Sequence, residues 1–365
     1  MTATAHSSNN SPVLIMAGGT GGHVYPALAV ADELRKRGVP VVWMGTHKGI
    51  EARLVPEAGI DVDWLSVSGL RGKGVFALLM APLNLLSACI QSMRIILHRK
   101  PCAVLGMGGF VSGPGGLMAR LLGRPLLIHE QNAIPGMTNR LLSLIATKVM
   151  SAFPDGFKRE SLHVGNPVRS EIADIPEPGM RLKNRHGRLK LFVFGGSLGA
   201  ARLNEVVPQA LERLPIESRP EVRHQAGKNN IEQARSNYAG LNIDARVDAY
   251  IDDMAEAYAW ADLVICRAGA MTIAELAAAG VASVLVPYPY AVDDHQTFNA
   301  KYLADAGAAM LVQQSELTVD VLEKIFLEMD HAKIFDMSIK ARSLGMPEST
   351  VRVTDECLIA GGVTC

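Results

Sequence analysis

The amino-acid sequence has no surplus of charge of either sign. Its 365 residues include 36 Lys and Arg and 36 Asp and Glu, which gives a formal net charge of +0 at pH 7. Nucleic-acid-binding domains are usually basic, so this balance favours no nucleic-acid partner, and attraction to an anionic surface must come from local patches. The hydrophobic share of 48% is enough for buried cores, and the length suits two domains.

The cysteines form no C-x-x-C pair, and several of the five lie in apolar runs: Cys89, Cys102, Cys266, Cys357 and Cys365. We therefore predict reduced thiols in a reducing compartment rather than a disulfide framework or a zinc site. Residues 1–12 lack the basic start and the apolar centre of a secretory signal, and we expect a frayed tail there.

No apolar run is clean enough to predict a membrane span. Residues 75–97 come nearest, but Pro82, Asn84, Gln91 and Arg94 interrupt them, and polar side chains are costly in lipid. We expect a crossover helix that is buried over most of its length. An interfacial alternative stays open, because exposed apolar residues beside cations suit an anionic leaflet surface. The cations that flank this segment are Arg71, Lys73, Arg94, His98, Arg99 and Lys100.

Strand-like and helix-like segments alternate along most of the chain. Residues 13–17 read as a buried strand, residues 25–37 as a helix, and the alternation continues to about residue 150. It restarts at residue 189 and gives way to helices alone after about residue 318. This pattern predicts βα units and an α/β fold with two doubly wound, Rossmann-like domains that face across a cleft.

The proline-rich and charged residues 165–188 interrupt the alternation and mark a domain boundary. We predict a first domain over residues 1–165 and a second over residues 166–344. The last helix, at about residues 345–365, is expected to pack back on the first domain.

Three glycine-rich loops, residues 18–23, 106–116 and 195–200, each follow a predicted strand and precede a predicted helix. Glycine permits backbone conformations that other residues rarely adopt and lets a ligand approach closely. His23 ends the first loop and is a candidate general base. Pro26 is expected in the first turn of the next helix. A nicotinamide fingerprint fits poorly because Val24 stands where a glycine is needed, and no loop continues as Gly-Lys-Ser/Thr.

Residues 267–275 follow the predicted strand 263–266 and open a helix that ends near Gly280. The N-terminus of such a helix can bind a phosphate or diphosphate through its N–H groups and dipole. Glu275 lies too deep for an N-cap and suits the two hydroxyls of a ribose. The sequence Asp293-Asp294-His295 would place its side chains poorly around a metal ion.

These residues together resemble the MurG family, the lipid-II-forming glycosyltransferases. The matching stretches occur in order along the chain: residues 18–23, 68–74, 106–116, 129–132, 165–169, 195–200, 250–254, 267–275 and 294–300. The resemblance implies the GT-B fold and inverting transfer of N-acetylglucosamine from UDP-N-acetylglucosamine to the C4 hydroxyl of a lipid-linked muramyl pentapeptide. It also implies a peripheral position on the cytoplasmic face of the inner membrane, with other cell-wall synthesis proteins as candidate partners. We expect no cofactor, and no divalent metal ion if Arg169 and the helix at Ala270 stabilise the leaving diphosphate.

We propose His23 as the catalytic base, because it lies on the glycine loop that is expected on the acceptor side. By the resemblance, the first two glycine loops suit the acceptor diphosphate. Ile251 would meet uracil, Glu275 the ribose, Ser197 and Arg169 the phosphates, and Gln296 the sugar hydroxyls. The remaining residues expected at UDP-N-acetylglucosamine are Thr20, Gly21, Gly22, Asn132, Ala270, Met271, Thr272, Ile273 and Ala274. Leu198 departs from the family, which usually has glutamine there, so no side-chain contact is expected at that position.

Two other functions stay open. Another GT-B enzyme on the same nucleotide sugar, such as a 2-epimerase, would release free UDP-N-acetylmannosamine without a lipid acceptor. A membrane-peripheral binding protein with a vestigial nucleotide site would bind UDP without turnover.

Overall fold

The computed structural model describes residues 11–66, 80–196 and 199–363. The chain divides into two compact units, the first formed by Met1–Pro167 with Glu348–Cys365 and the second by Val168–Pro347. Elements are numbered along the chain, and each unit is described by itself.

The described residues of the first unit contain a parallel sheet of seven strands. These are β1 (Val13–Met16), β2 (Val41–Gly45), β3 (Asp61–Trp64), β4 (Ala103–Gly106), β5 (Leu126–Glu130), β6 (Lys148–Ser151) and β7 (Leu162–His163). The spatial order is β3-β2-β1-β4-β5-β6-β7. All four residues of β1 are buried, as expected for a strand covered on both faces.

The helices described in the first unit before its boundary are α1 (Gly21–Lys36), α2 (Glu51–Glu57), α3 (Ala81–Arg99), α4 (Ser112–Leu121) and α5 (Met137–Ser143). The expected start of α1 at residue 25 is wrong, because the helix begins at Gly21. Pro26 therefore lies in the second turn rather than the first. Gly21, Gly22 and His23 form the first turn, so part of the first glycine loop is the N-terminus of a helix.

The expectation that the crossover segment is mostly buried is also wrong. In α3 only Ala88, Ser92 and Ile96 are buried, at a spacing of four residues that follows one stripe of the helix. Leu83 and Leu86 are 59% and 57% exposed. Residues 67–79, which include much of the predicted interfacial segment and residues 68–74 of the family resemblance, lie outside the described residues. No helix in the described part of the chain is both long enough and apolar enough to cross a membrane.

In the second unit, the described residues again contain a parallel sheet, here of six strands. These are β8 (Lys190–Phe194), β9 (Glu221–Gln225), β10 (Ala245–Asp248), β11 (Leu263–Cys266), β12 (Ala282–Leu285) and β13 (Ala309–Leu311), in the order β10-β9-β8-β11-β12-β13. Its described helices are α6 (Ser170–Ala173), α7 (Pro178–Arg181), α8 (Ala201–Arg213), α9 (Ile231–Tyr238), α10 (Met254–Trp260), α11 (Ala270–Ala279), α12 (His295–Ala304), α13 (Val319–Glu328) and α14 (His331–Ser343).

A C-terminal helix, α15 (Ser349–Gly361), belongs to the first unit and packs against α1 and β4. Two ion pairs fasten it. Arg37 Nη1 lies 2.6 Å from Asp355 Oδ1, and Lys148 Nζ lies 3.2 Å from Glu356 Oε2.

In both sheets, the strand order changes direction at the first strand, because later strands are added on its other side. In the first unit β1 lies between β2 and β4, and in the second β8 lies between β9 and β11. In open parallel sheets, ligands bind outside the carboxyl ends of the strands at such a switch point. The candidate ligand positions are therefore the loops after β1 and β4 in the first unit and the loops after β8 and β11 in the second.

Candidate active site

In the first unit, the loops after β1 and β4 approach each other so closely that glycine is required. Gly109 has φ +83°, and a Cβ atom there would lie 2.4 Å from the carbonyl oxygen of Gly18. Gly108 has φ +100°, and its Cβ atom would lie 2.6 Å from Nδ1 of His23. The glycines of the second loop thus make room for the first loop and for the imidazole.

His23 is half-buried in the first turn of α1. Its Nδ1 lies 3.2 Å from Oε1 of Gln131, which follows β5. The Nε2 group of Gln131 donates to the carbonyl oxygen of Met107 at 2.7 Å. One buried side chain therefore connects the ends of β4 and β5 to the candidate base.

Asn132 is oriented by a buried carboxylate. Glu130 Oε1 accepts from the backbone N–H of Asn132 at 3.0 Å and from its Nδ2 at 3.2 Å. Glu130 Oε2 accepts from Gly136 N and from Asn139 Nδ2. His129 beside it is fully buried with Nε2 2.8 Å from Gly165 O, and burial lowers the pKa of His129 to about 4. His129 is therefore a neutral, structural imidazole.

Glu51 holds the first glycine loop, and the sequence did not single it out. Its side chain is fully buried, and Oε2 accepts from the Gly19 N–H at 2.9 Å. Oε1 accepts from the hydroxyl of Thr46 at 2.8 Å. A diphosphate at the first loop could therefore not use the Gly19 amide. It would meet the helix end at Thr20, Gly21 and Gly22, of which Thr20 and Gly22 are exposed.

In the second unit, Glu275 lies on α11 with its side chain 15% exposed. Tyr258 Oη donates to Glu275 Oε2 at 3.0 Å, and Arg169 Nη2 lies 3.7 Å from Glu275 Oε1. Burial raises the pKa of Glu275, whereas Arg169 and the Tyr258 hydrogen bond lower it. The structure thus brings Arg169 and Glu275 together and adds Tyr258, which the sequence did not indicate.

The N-terminus of α11 has the character expected of an anion site. Gly269 precedes the helix in an extended conformation, and the first turn contains no acidic residue. Ala270, Met271, Thr272 and Ala274 are in or next to this turn. The expected ligand contact of Ile273 is not supported, because its side chain is fully buried and its N–H donates to Gly269 O at 3.0 Å.

Arg267, just before this helix, has a structural role. Its guanidinium donates to the carbonyl oxygens of Val286 and Pro287 and lies 5.6 Å from the centre of the Tyr288 ring. These contacts join the loop after β11 to the loop after β12. Burial lowers the pKa of Arg267.

The third glycine loop packs against the end of β9. Gly199 has φ +76°, and a Cβ atom there would lie 1.9 Å from Ala226 O. Gln225 Nε2 donates to Gly196 O at 2.9 Å. Ser197 and Leu198 lie outside the described residues, so the phosphate contact expected of Ser197 stays a prediction.

Gln296 and Ile251 lie at the same carboxyl edge of the sheet. Gln296 Oε1 accepts from the N–H of Tyr288 at 2.9 Å, and Ile251 is half-buried between β10 and α10. Asp293 and Asp294 both adopt left-handed backbone conformations, with φ 53° and 50°, just before α12. Strain of this kind is common next to functional groups. In the described residues, no group of three or more His, Cys, Asp or Glu could hold a metal ion.

Known proteins resemble both units. Residues 13–151 match the N-terminal domain of glycosyltransferase family 28, and residues 190–352 match its C-terminal domain. A UDP-N-acetylglucosamine–N-acetylmuramyl-(pentapeptide) pyrophosphoryl-undecaprenol N-acetylglucosamine transferase from Dechloromonas aromatica is 52% identical over 94% of this chain and 97% of its own length. The protein of the same name from Nitrosococcus oceani is 54% identical over 96% of this chain and 99% of its own length.

A crystal structure of MurG from Acinetobacter baumannii is 44% identical and superposes with a TM-score of 0.86, covering 96% of this chain and 99% of that one. The chain belongs to the MurG family. This membership confirms the family resemblance and the fold of two Rossmann-like parallel-sheet domains. The roles of the site residues in this MurG-family chain stay predictions. The structure places Glu51 on Gly19, Gln131 on His23 and Tyr258 on Glu275.

Proposed function

We propose that this chain transfers N-acetylglucosamine from UDP-N-acetylglucosamine to the C4 hydroxyl of undecaprenyl-pyrophosphoryl-N-acetylmuramyl-pentapeptide, with inversion at the anomeric carbon. The observation that carries this proposal is the 52% identity, over nearly the full length of both chains, to a transferase named for these substrates. The 2-epimerase alternative has less support, because the similar full-length relatives are named as transferases.

The second unit supplies the donor site in this proposal. The Glu275 carboxylate accepts hydrogen bonds from the two ribose hydroxyls, and Tyr258 and Arg169 hold it in place. The first turn of α11 and Arg169 bind the diphosphate, because helix N–H groups and a guanidinium both stabilise anionic oxygens. Ser197 adds a phosphate contact, the backbone at Ile251 meets uracil, and Gln296 binds sugar hydroxyls.

The first unit supplies the base. The acceptor C4 oxygen attacks the anomeric carbon while its proton passes to His23. The bond from that carbon to the diphosphate oxygen breaks, and UDP leaves with the electron pair. General-base assistance of this kind is worth ~10²–10⁴-fold. Since α11 and Arg169 would meet the charge on the leaving group, we expect turnover to persist in excess chelator, and its abolition would count against this step.

The decisive assay incubates the purified chain with labelled UDP-N-acetylglucosamine and the lipid-linked muramyl acceptor. We expect label in a lipid product that carries the disaccharide. Free UDP-N-acetylmannosamine formed without acceptor would instead indicate an epimerase. Intact UDP binding with no turnover on either route would indicate a vestigial nucleotide site.

We further propose that the first unit binds the anionic cytoplasmic surface of the inner membrane. At that surface, the lipid product of the transfer would be used in peptidoglycan synthesis, and thereby in cell shape and division, beside other cell-wall proteins. Helices α3, α4 and α5 pack side by side. They and the residue that follows α5 carry exposed apolar side chains, here called the apolar face: Leu83, Leu85, Leu86, Ile90, Leu97, Leu117, Leu121, Met137, Leu141 and Leu144. Exposed cations on or next to the same helices are Arg94, Lys100, Arg120 and Arg140. Apolar side chains beside cations suit an anionic leaflet.

Sedimentation with lipid vesicles tests this surface. We expect the chain to bind vesicles that contain phosphatidylglycerol, and Leu86→Glu to weaken that binding. Leu327→Glu is the matched control, since Leu327 is similarly exposed, at 61%, but lies on α13 of the second unit. Equal loss of binding in both variants, or none in either, would refute the assignment of the apolar face.

A further inference from the structure

Gln131 is a buried residue whose side-chain amide contacts the candidate base, His23. It is 1% exposed, and its backbone carbonyl oxygen accepts from Asn166 Nδ2 at 3.0 Å. Its side-chain amide lies between the Met107 carbonyl oxygen and the imidazole of His23. Both polar groups of the amide therefore have a hydrogen-bond partner. The Met107 carbonyl oxygen can only accept a hydrogen bond, whereas a histidine ring nitrogen can accept or donate one.

The Met107 contact determines which way the amide points. A carbonyl oxygen can only accept a hydrogen bond, so the group that faces Met107 O at 2.7 Å must be the NH₂ of Gln131. The amide oxygen then faces His23 Nδ1 at 3.2 Å. Because that oxygen can only accept, Nδ1 must be the donor. In the neutral imidazole the proton is then on Nδ1 and the lone pair is on Nε2.

Gly108 keeps the ring in this position. A Cβ atom at residue 108 would lie 2.6 Å from Nδ1 and 2.7 Å from Cε1 of His23, so the imidazole packs directly on the glycine backbone. Any larger residue would displace the ring from Gln131.

We infer that Gln131 is a positioning residue that holds neutral His23 as the tautomer protonated on Nδ1, so that Nε2 is the atom that takes the acceptor's proton. This inference rests on the proposed function for the role of His23, but the tautomer itself can be observed without any turnover. An unconstrained histidine side chain favours the opposite tautomer, so the amide must act to select this one.

The chain contains an internal reference for the experiment. In the second unit, Asn204 Nδ2 donates to Ala226 O at 3.0 Å, so Asn204 Oδ1 faces His224 and accepts from its Nε2 at 2.9 Å. His224 Nδ1 then accepts from Tyr238 Oη at 2.9 Å. Burial lowers the pKa of His224 to about 3, so this ring stays neutral. His224 should therefore show the opposite tautomer to His23 in one spectrum.

The test is a long-range ¹H–¹⁵N correlation spectrum of the full ¹⁵N-labelled chain, with the His23 signal assigned by its loss in His23→Gln. We expect a protonated Nδ1 in His23 and a protonated Nε2 in His224. In Gln131→Met, His23 should move toward the Nε2-protonated form while His224 is unchanged. The kcat should fall by at least ~10-fold, and by no more than the ~10²–10⁴-fold that general-base assistance contributes, with the KM for UDP-N-acetylglucosamine unchanged.

A failure of the tautomer inference and a failure of His23 as the base give different results. A neutral His23 that carries its proton on Nε2 in the unaltered chain would overturn the inference, and the only variant that this measurement needs is the His23→Gln protein used for the assignment. An unchanged His23 tautomer in Gln131→Met would overturn it as well. Full turnover by His23→Gln would instead remove His23 as the base, while the observed tautomer would still decide whether Gln131 positions it.

Discussion

The two units share a strand order but differ in the chemistry at the carboxyl edges of their sheets. In the first unit, carboxylates of the protein itself already occupy loop amides, since Glu51 accepts from Gly19 N–H and Glu130 from Asn132 and Gly136. In the second unit, the first turn of α11 carries no acidic residue, which is also true of α1 in the first unit. Glu275 lies more than a turn further along α11, held by Tyr258 and Arg169.

This difference explains how one topology can serve two tasks. An amide that already holds a carboxylate is a poor site for a second anion, whereas the N–H groups and the dipole of a helix N-terminus favour one. The donor diphosphate is therefore expected in the second unit. The first unit instead holds the imidazole of His23 between a glycine and a primary amide, which suits the transfer of a proton.

The largest effect is expected for a feature that both units share, which is the close packing of their glycine loops. Glycine variants in each unit test its contribution to the free energy of unfolding. Gly109→Ala and Gly199→Ala should each lower the free energy of unfolding by about 2–5 kcal/mol, from left-handed strain plus overpacking. Gly19→Ala and Gly196→Ala are matched controls, because both have positive φ but no atom within 4 Å of the added Cβ. Denaturant titration should give about 1–2 kcal/mol for these controls. Equal losses in all four variants would show that the loop contacts contribute nothing.

The next effect is specific to the second unit. Glu275→Ala should raise the KM for UDP-N-acetylglucosamine by roughly 10- to 100-fold, because hydrogen bonds to a charged group are worth about 1.5–3 kcal/mol. Steady-state kinetics check this against Glu256→Ala, whose side chain pairs with Arg223 on the surface of the same unit. An unchanged KM in Glu275→Ala would refute the ribose assignment.

The smallest effect is a shift in pH dependence. Burial raises the pKa of Glu275, and the Tyr258 hydrogen bond is among the contacts that lower it, so Tyr258→Phe should raise that pKa further. A protonated carboxyl is a weaker acceptor, so donor affinity should fall as pH decreases through this pKa. Titration of UDP affinity should therefore show the loss beginning at higher pH in Tyr258→Phe. The same midpoint in both proteins would mean that the hydroxyl does not stabilise the carboxylate.

The sequence alone predicted the features that depend on local pattern. Apolar strands followed by glycine loops predicted two doubly wound domains, and the run Leu263–Cys266 agrees with β11 residue for residue. The short strands β7, β10 and β13 have two to four residues and weak periodicity, so no local signal predicted them. The start of α1 was missed because glycine favours a loop in isolation, and here the packed sheet overrides that preference.

The supporting residues of the site could not be predicted, because their roles arise from distant contacts. Glu51 meets Gly19 across 32 residues and Gln131 meets His23 across 108. Tyr258 belongs to an unremarkable short helix, and only the fold places its hydroxyl on Glu275. By contrast, His23 and Glu275 themselves were predicted, because each follows a glycine or small-residue loop that is recognisable in the sequence.

The central claim is that the first unit provides the base and the second unit holds the nucleotide. The most direct test measures UDP affinity and turnover side by side in His23→Ala. We expect an unchanged affinity for UDP with a kcat lower by ~10²–10⁴-fold. Near-full turnover, or a loss of UDP affinity equal to the loss of rate, would contradict it.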